Sequence, residues 1–453
     1  MSTIAAISTP NAAGGIAVIR ISGDKAIETA AKVFRPFTSK KVDDMDGYTC
    51  AYGTVYDGEE RLDDCILTVF RAPHSYTGED TAELSCHGGL YVSKRILRAL
   101  LKNGAVNAEP GEFTKRAYLN GKLDLTQAEA VMDIISANGE IELKMAENLR
   151  EGAAFKKAEK CSEKLMKMLG DLAAWADYPD EDTPSVENEN LLAELNEVKA
   201  DLESLIVNYD SGRIVREGVS TAIVGRPNVG KSTLFNCLSG CERSIVTDIA
   251  GTTRDVVEES VRLGDITLRL SDTAGIHDTD DVIEGIGVDI AEKLLTSSEL
   301  VIAVFDGSCP LTEDDLSLID KVSNDKCIAV VNKSDIGTQI KEKDLTDKFK
   351  HIVYLSAKEN TGVEQLENAV KDIFEINDKT LNTVSAANER QKMCIDSALK
   401  SVNEAIDALM CGELLDAINV LIDEAEQSIL SLTGKKVTNE VVDEVFSRFC
   451  VGK

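Results

Sequence analysis

No stretch of this chain is long and apolar enough to cross a membrane. Its first residues, MSTIAAISTPNAAGG, have neither the basic start nor the long apolar core of a secretory signal. Both absences predict a chain that works in the cytoplasm without a membrane. Histidine is scarce, at four in 453 residues, and the eleven cysteines are scattered and odd in number. Cys237 and Cys241 stand four apart with no second pair, and Cys86-His87 is isolated, so no zinc-binding set is assembled. Free thiols in a reducing compartment are the simpler expectation. Positive charge is short too. A formal net charge of −30 excludes a general polyanion binder, so any nucleic-acid contact needs a local basic patch or a basic partner.

What is present points to a nucleotide. The run Gly225-Arg226-Pro227-Asn228-Val229-Gly230-Lys231-Ser232 matches the phosphate-binding loop G-x-x-x-x-G-K-[ST]. Its glycines let the backbone curl so that successive N–H groups face a polyphosphate. Lys231 can reach the β- and γ-phosphates, and the Ser232 hydroxyl can ligate Mg²⁺. Residues 220–224 (STAIV) read as a buried strand, and Thr233 begins a helical run whose N-terminus faces the phosphate. Further on, Asn332-Lys333-Ser334-Asp335 closes the apolar run CIAVV. The Asp335 carboxylate can accept from guanine N1–H and the exocyclic amine together. Adenine offers no such pair, and a site built on hydrogen bonds rejects the wrong base by about 10⁴. Ser356-Ala357-Lys358, after the apolar run IVYL, completes the base pocket. Between phosphate loop and base reader lies Asp272-Thr273-Ala274-Gly275, after ITLRL. Its aspartate is expected to hold Mg²⁺ through water, and its glycine N–H to meet the γ-phosphate. Four motifs in this order, each at a strand end, predict GTP binding.

Hydrolysis needs an unusual arrangement. Small signalling GTPases place a water-orienting glutamine after the D-x-x-G glycine. Here Ile276 stands there, and an aliphatic side chain cannot orient water. Thr247-Asp248-Ile249-Ala250-Gly251-Thr252-Thr253-Arg254 reads as a switch, one of whose threonines binds Mg²⁺. Arg254 is either a plain surface arginine or an arginine finger in cis. The cluster Asp280, Asp281 and Glu284 is either a solvated face or the source of a water-positioning carboxylate.

The GTPase segment reads as an insertion. Upstream, Leu191, Leu195, Val198, Leu202, Leu205 and Tyr209 recur at helical spacing, and residues 125–149 carry a similar stripe. Two prolines near 178–184 mark a turn between helices. Downstream, Ile395, Ala398, Val402, Ala405 and Leu409 form one stripe, and Leu414, Ile418, Leu421, Ala425 and Ile429 another. The simplest architecture is multidomain: an α+β domain at 1–120, an all-α helical domain built from 121–217 and 377–453, and an inserted α/β P-loop GTPase domain at 218–376. In the first domain, residues 16–21, 50–56, 65–70 and 81–86 read as strands. Gly88-Gly89 and Pro110-Gly111 precede helices. Arg20, Glu83, Lys115, Arg116 and Lys122 lie at strand and loop positions whose convergence spacing cannot establish. The chain ends Phe449-Cys450-Val451-Gly452-Lys453. This is not a prenylation box, since Gly and Lys occupy its last positions. It is either a frayed tail with an idle thiol, or a reactive thiol on an arm with Lys453 and the terminal carboxylate as binding groups.

With GRPNVGKST, IVTDIAGTTRD, DTAGI, NKSD and the FCVGK end assembled, the chain resembles the MnmE (TrmE) family of tRNA modification GTPases. SYTGED, CHGG and PGEFTKRAYLNGKLDLTQAEA extend the resemblance over the full length. It implies an enzyme that hydrolyses GTP. With a flavoprotein partner, MnmG, which brings FAD, such an enzyme installs a carboxymethylaminomethyl or aminomethyl group at C5 of the wobble uridine of certain tRNAs. The one-carbon unit comes from 5-formyl- or methylene-tetrahydrofolate. By motif match, folate falls on Arg20, Glu83, Lys122 and Lys453 of an N-terminal folate-binding, dimerising domain. The same carry-over puts K⁺ on Asn228, Thr247, Ile249 and Thr252, and Mg²⁺ on Ser232 and Thr253. Glu284 takes the water-orienting role, and Cys450 the terminal thiol's. A cation between the phosphates then does the charge work of an arginine finger, which answers the Ile276 puzzle. Members are homodimers whose G domains meet, and they form a heterotetramer with MnmG. His277 departs from the arginine common beside this switch. The alternative is a ribosome-assembly GTPase without base chemistry. The tail has Gly434-Lys435-Lys436-Val437 but no G-x-x-G loop of the RNA-binding module some of those carry. A P-loop ATPase or kinase fails on Asn332 and Asp335.

Overall fold

The structure is a computed structural model and describes residues 1–137, 139–177, 188–207, 209–241, 259–270, 298–322, 326–341, 343–376 and 388–453. They fall into two compact units: Met1–Met132 with Arg150–Leu202 and Cys394–Lys453, and Asp133–Leu149 with Glu203–Met393.

The first unit opens with strands β1 (Ile4–Ile7), β2 (Ile16–Ser22), β3 (Phe34–Pro36), β4 (Thr49–Asp57), β5 (Glu60–Phe70), β6 (Thr81–His87) and β7 (Val106–Asn107). They form one sheet in the order β3-β4-β5-β6-β2-β1-β7, antiparallel except where β1 meets β7. Successive side chains alternate between its faces. Cys65, Leu67 and Val69 point inward with Leu84, Ile19 and Ile21, under the helices Ala26–Val33 and Leu90–Lys102. The other face stays open around Tyr52 (56% exposed) and Ile66 (46%), which sit opposite each other in register. Phe37 packs beside Tyr52, ring centroids 5.1 Å apart. The four strands read from alternation are all present. The short strands β1, β3 and β7 are held by their neighbours and carry too few residues to show a period.

The helices of this unit bury the stripes the sequence shows: Leu191, Leu195, Val198 and Leu202 from one, Ile395, Ala398, Val402, Ala405 and Leu409 from another. One stripe is corrected. Leu414 is exposed, because it caps the helix Leu415–Thr433 in an extended conformation, and Leu421 is only half-buried. The buried face is Ile418, Ile422, Ala425 and Ile429, a cleaner 3.6-residue period. This helix packs on Ala153–Asp177.

That packing traps a carboxyl. Glu426 is 2% exposed; its Oε1 accepts from the Ser162 hydroxyl at 2.7 Å, while Oε2 has no hydrogen-bond partner among the described residues. Burial raises its pKa, and Ser162 and Lys435 offset this only partly. A folded-state value above the unfolded one favours folding fully below the unfolded value, and that advantage is lost as pH rises through the folded value. Glu426→Gln is therefore expected to raise the melting temperature by roughly 2–4 °C at pH 8, with the gain shrinking toward pH 4. Thermal melts at the two pH values check this. A variant that melts at or below wild type at pH 8 contradicts the orphaned charge.

The second unit contains β8 (Val219–Val224), β9 (Glu259–Leu263), β10 (Ile266–Leu270), β11 (Leu300–Asp306), β12 (Cys327–Asn332) and β13 (His351–Tyr354). The sheet order is β13-β12-β11-β8-β10-β9, parallel except for β9. Ile302, Val304, Ile328 and Val330 enter one core, and Val301, Ala303, Phe305, Ala329 and Val331 the other. Both faces are thus covered, so these strands read as continuous apolar runs without alternation. Ile141 and Met145, on the helix Glu140–Arg150, pack against the first of these cores. By contacts, Asp133–Leu149 groups with this unit.

Candidate functional site

Parallel strands β8, β11, β12 and β13 end at the same edge of their sheet, where doubly wound folds bind ligands. The phosphate loop leaves β8 there. Asn332 ends β12 and is 3% exposed; its Nδ2 donates to the Val229 carbonyl at 2.9 Å, and its Oδ1 accepts from the Ala357 N–H at 3.0 Å. One side chain thus ties phosphate loop, base loop and the Ser356-Ala357 turn together. Ser356 is buried and pairs through its backbone with Thr361; its hydroxyl accepts from the Glu359 N–H at 3.2 Å. Lys333 takes a left-handed φ of 63°. Its ammonium donates to the Asn228 carbonyl at 2.9 Å and to Asp306 Oδ2 at 2.6 Å. Asp335 projects from a short 3₁₀ turn, exposed, with the adjacent Ser334 N–H fixed on the Leu355 carbonyl at 3.2 Å. Lys358 is exposed.

Lys231 opens the helix Lys231–Cys241, followed by Ser232 and Thr233. Its Nζ donates to the carbonyls of Gly225 and Arg226, at 2.8 and 3.0 Å, and burial lowers its pKa. The Ser232 hydroxyl in the first helical turn is a hard oxygen donor of the type Mg²⁺ takes, and the Asn228 amide oxygen is one suited to K⁺. Thr247, Asp248, Ile249, Ala250, Gly251, Thr252, Thr253, Asp272, Thr273, Ala274, Gly275 and Glu284, with Arg254, Ile276, His277, Asp280 and Asp281, lie outside the described residues.

The first unit brings together a second group. Arg20 and Glu83, directly opposite on β2 and β6, form an ion pair at 2.8 Å on the sheet face turned away from the helices Ala26–Val33 and Leu90–Lys102. The Arg20 guanidinium lies over the Tyr76 ring at 5.2 Å and the Phe113 ring at 5.6 Å. The Phe113 N–H donates to the Lys453 backbone oxygen at 3.1 Å, which fixes Lys453 against the start of the helix Glu112–Leu119. The tail is seated: Val451 bridges Pro110, the Gly111 N–H reaches the Cys450 carbonyl at 3.4 Å, and the Ser8 hydroxyl donates to the Gly452 carbonyl at 3.0 Å. Cys450 itself is exposed. Lys122 donates instead to the Pro73 carbonyl at 3.1 Å, and Lys115 pairs with Asp443.

Arg116 has a structural role. It is 4% exposed, and pairs with Glu79 at 3.1 Å and Glu112 at 2.8 Å while donating to the Ser2 carbonyl. Glu79 also accepts from the buried Ser22 hydroxyl at 2.8 Å. This network explains the SYTGED run and fixes the loop beside Tyr76. Glu79 and Asp306 were not singled out in the sequence. Asp306 had a signal, an acid at the end of the apolar run LVIAVF; Glu79 had none, because its partners are distant in the chain.

Two family models match the chain. That of the GTP-binding protein TrmE N-terminus matches residues 3–122, and that of the MnmE helical domain residues 125–450. A protein of Thermoanaerobacter pseudethanolicus named tRNA modification GTPase MnmE is 41% identical, over 100% of this chain and 99% of its own length. A Clostridioides difficile protein of the same name is 38% identical over the same shares. The G domain of the T. maritima FeoB iron transporter is 26% identical, covering 34% of this chain and 98% of its own, with a TM-score of 0.27. Full-length identity at this level and both profiles lead to one conclusion: the chain belongs to the MnmE (TrmE) family of tRNA modification GTPases.

Proposed function

We propose that this chain hydrolyses GTP and, as a homodimer with the flavoprotein MnmG, modifies C5 of the wobble uridine of certain tRNAs in the cytoplasm. The observation that carries the reading is Asn332, which ties the phosphate loop to a guanine-reading N-K-x-D tetrad, in a chain alignable end to end with relatives bearing that name. Backbone N–H groups of residues 228–233 and the Lys231 ammonium hold the phosphates, and Asp335 selects guanine. Ser232 and Thr253 would hold Mg²⁺, and Asn228, Thr247, Ile249 and Thr252 would hold K⁺. When bound, these ions supply positive charge against the phosphate oxygens. Glu284 orients the attacking water in place of the glutamine that Ile276 displaces.

Arg20, Glu83, Lys122 and Lys453 would hold the tetrahydrofolate. A guanidinium–carboxylate pair beside the partly exposed Tyr76 ring offers donors, acceptors and one aromatic face to a flat heterocycle. When bound, the folate supplies the one-carbon unit. The open face around Tyr52, Ile66 and Phe37 fits a second copy of the same domain. Domain bounds of 1–120, 121–217 with 377–453, and 218–376 belong to the same proposal. Among the described residues no helix is long and apolar enough to span a membrane, and the described cysteines are free thiols, as a reducing compartment keeps them. With a net charge of −30, most phosphate contacts to tRNA fall to the partner.

The test is GTP turnover by the purified full chain in KCl and in NaCl. Turnover is expected to be at least about tenfold faster in KCl, and to fall by about a hundredfold or more in Glu284→Ala. Equal rates in the two salts contradict the proposal.

A further inference from the structure

The loop after β11 was not among the nucleotide motifs, yet it touches the phosphate loop at two places. β11 ends at Asp306, in register with Asn332. The Asp306 side chain is 13% exposed and nearly saturated with donors. Oδ1 accepts from the Ser308 N–H at 2.9 Å and the Ser308 hydroxyl at 2.5 Å. Oδ2 accepts from the Lys333 ammonium at 2.6 Å. Lys333 in turn donates to the carbonyl of Asn228, a non-glycine residue held at φ 66° inside the phosphate loop. At the other end of the loop, Arg226 Nε lies 3.2 Å from Asp315 Oδ2, and Nη2 donates to the Cys309 sulfur at 3.0 Å. Asp315 is itself buried and accepts from the N–H and hydroxyl of Thr312.

We propose that Asp306 is a positioning residue for the guanine nucleotide: its carboxylate, oriented by Ser308, fixes Lys333 so that one ammonium spans the base loop and the left-handed Asn228 of the phosphate loop. This rests on the GTPase reading given above. Burial pushes the Asp306 carboxyl up, but Lys333 and Ser308 more than offset that and hold it below the ordinary carboxylate range. The group therefore stays ionised at neutral pH and the ion pair persists. Asparagine enters the left-handed region more readily than other non-glycine residues, and the Lys333 hydrogen bond to the Asn228 carbonyl is one contact that holds the loop in that form. Without the carboxylate, Lys333 regains rotamer freedom and the nucleotide must order it on binding.

The experiment measures binding of fluorescent N-methylanthraniloyl GDP to the full chain, and KM and kcat for GTP, in wild type, D306N, D306E and S308A, with D320N as control. Asp320 pairs with Lys348 on the exposed surface and touches no nucleotide motif. D306N is expected to weaken GDP binding and raise KM by about tenfold while kcat changes less than twofold. D306E should recover most of the loss, S308A should lose about threefold, and D320N should match wild type. Wild-type affinity in D306N, or a fall in kcat at unchanged KM, overturns the proposal. If D306N melts well below wild type, S308A decides: unchanged affinity there overturns it, and weakened affinity at a wild-type melting temperature supports it. Failure of the wild-type chain to bind the probe sinks the GTPase reading instead.

Discussion

Gly230→Ala is expected to lose about a hundredfold or more in GTP affinity, equivalent to about 2.7 kcal/mol or more. Gly230 has φ 99°, a conformation that L side chains rarely adopt, and an added Cβ would overlap the Asn332 amide nitrogen. Backbone strain alone is worth about 1–3 kcal/mol. Relieving the overlap moves Asn332, whose amide holds Val229 and Ala357 at once. The substitution therefore disturbs phosphate loop and base pocket together, although the added methyl group lies against Asn332. Titration of the purified variant with a fluorescent guanine nucleotide measures the loss. The strain and the displaced Asn332 hydrogen bonds also act on the folded state, so the melting temperature is expected to fall by roughly 2–10 °C, and affinity is measured well below the onset of unfolding. Wild-type affinity would show that the loop has room the geometry denies.

The second large effect concerns the chain end. Cys450→Ser is expected to leave GTP turnover within about twofold of wild type and to reduce wobble modification by a hundredfold or more, a loss typical of removing a reacting group. The tail is held in the first unit by Ser8, Gly111 and Phe113, with Lys453 bonded to the Phe113 backbone and Cys450 open to solvent. Gly452 has φ 98°, and a Cβ there would stand 2.5 Å from the Ile7 carbonyl. Gly452→Val is accordingly expected to unseat the tail and reproduce the modification defect. Modification that survives both variants would remove the thiol from the chemistry.

Legibility in the sequence followed the range of the forces. The phosphate loop and the N-K-x-D tetrad are local backbone devices, so spacing alone showed them. Strands β4, β5 and β6 showed through alternation, and the helix stripes through a 3.6-residue period. Leu414 misled because a stripe extrapolates past its helix, where the chain is already extended. What stayed hidden was long-range pairing. Arg20 meets Glu83 across 63 residues, and Ser8 meets Gly452 across 444. Arg116, for which spacing shows no partner, is a buried tie between Glu79 and Glu112. Asp306 joins Lys333 only because β11 and β12 are neighbours in the sheet, which no spacing reveals.

Nucleoside analysis of total tRNA from cells carrying a deletion of this chain, with and without re-supplied wild type, bears most directly on the assignment. The C5-substituted wobble uridine is expected to disappear on deletion and to return with wild type but not with Cys450→Ser. An unchanged nucleoside profile in the deletion strain would contradict the account.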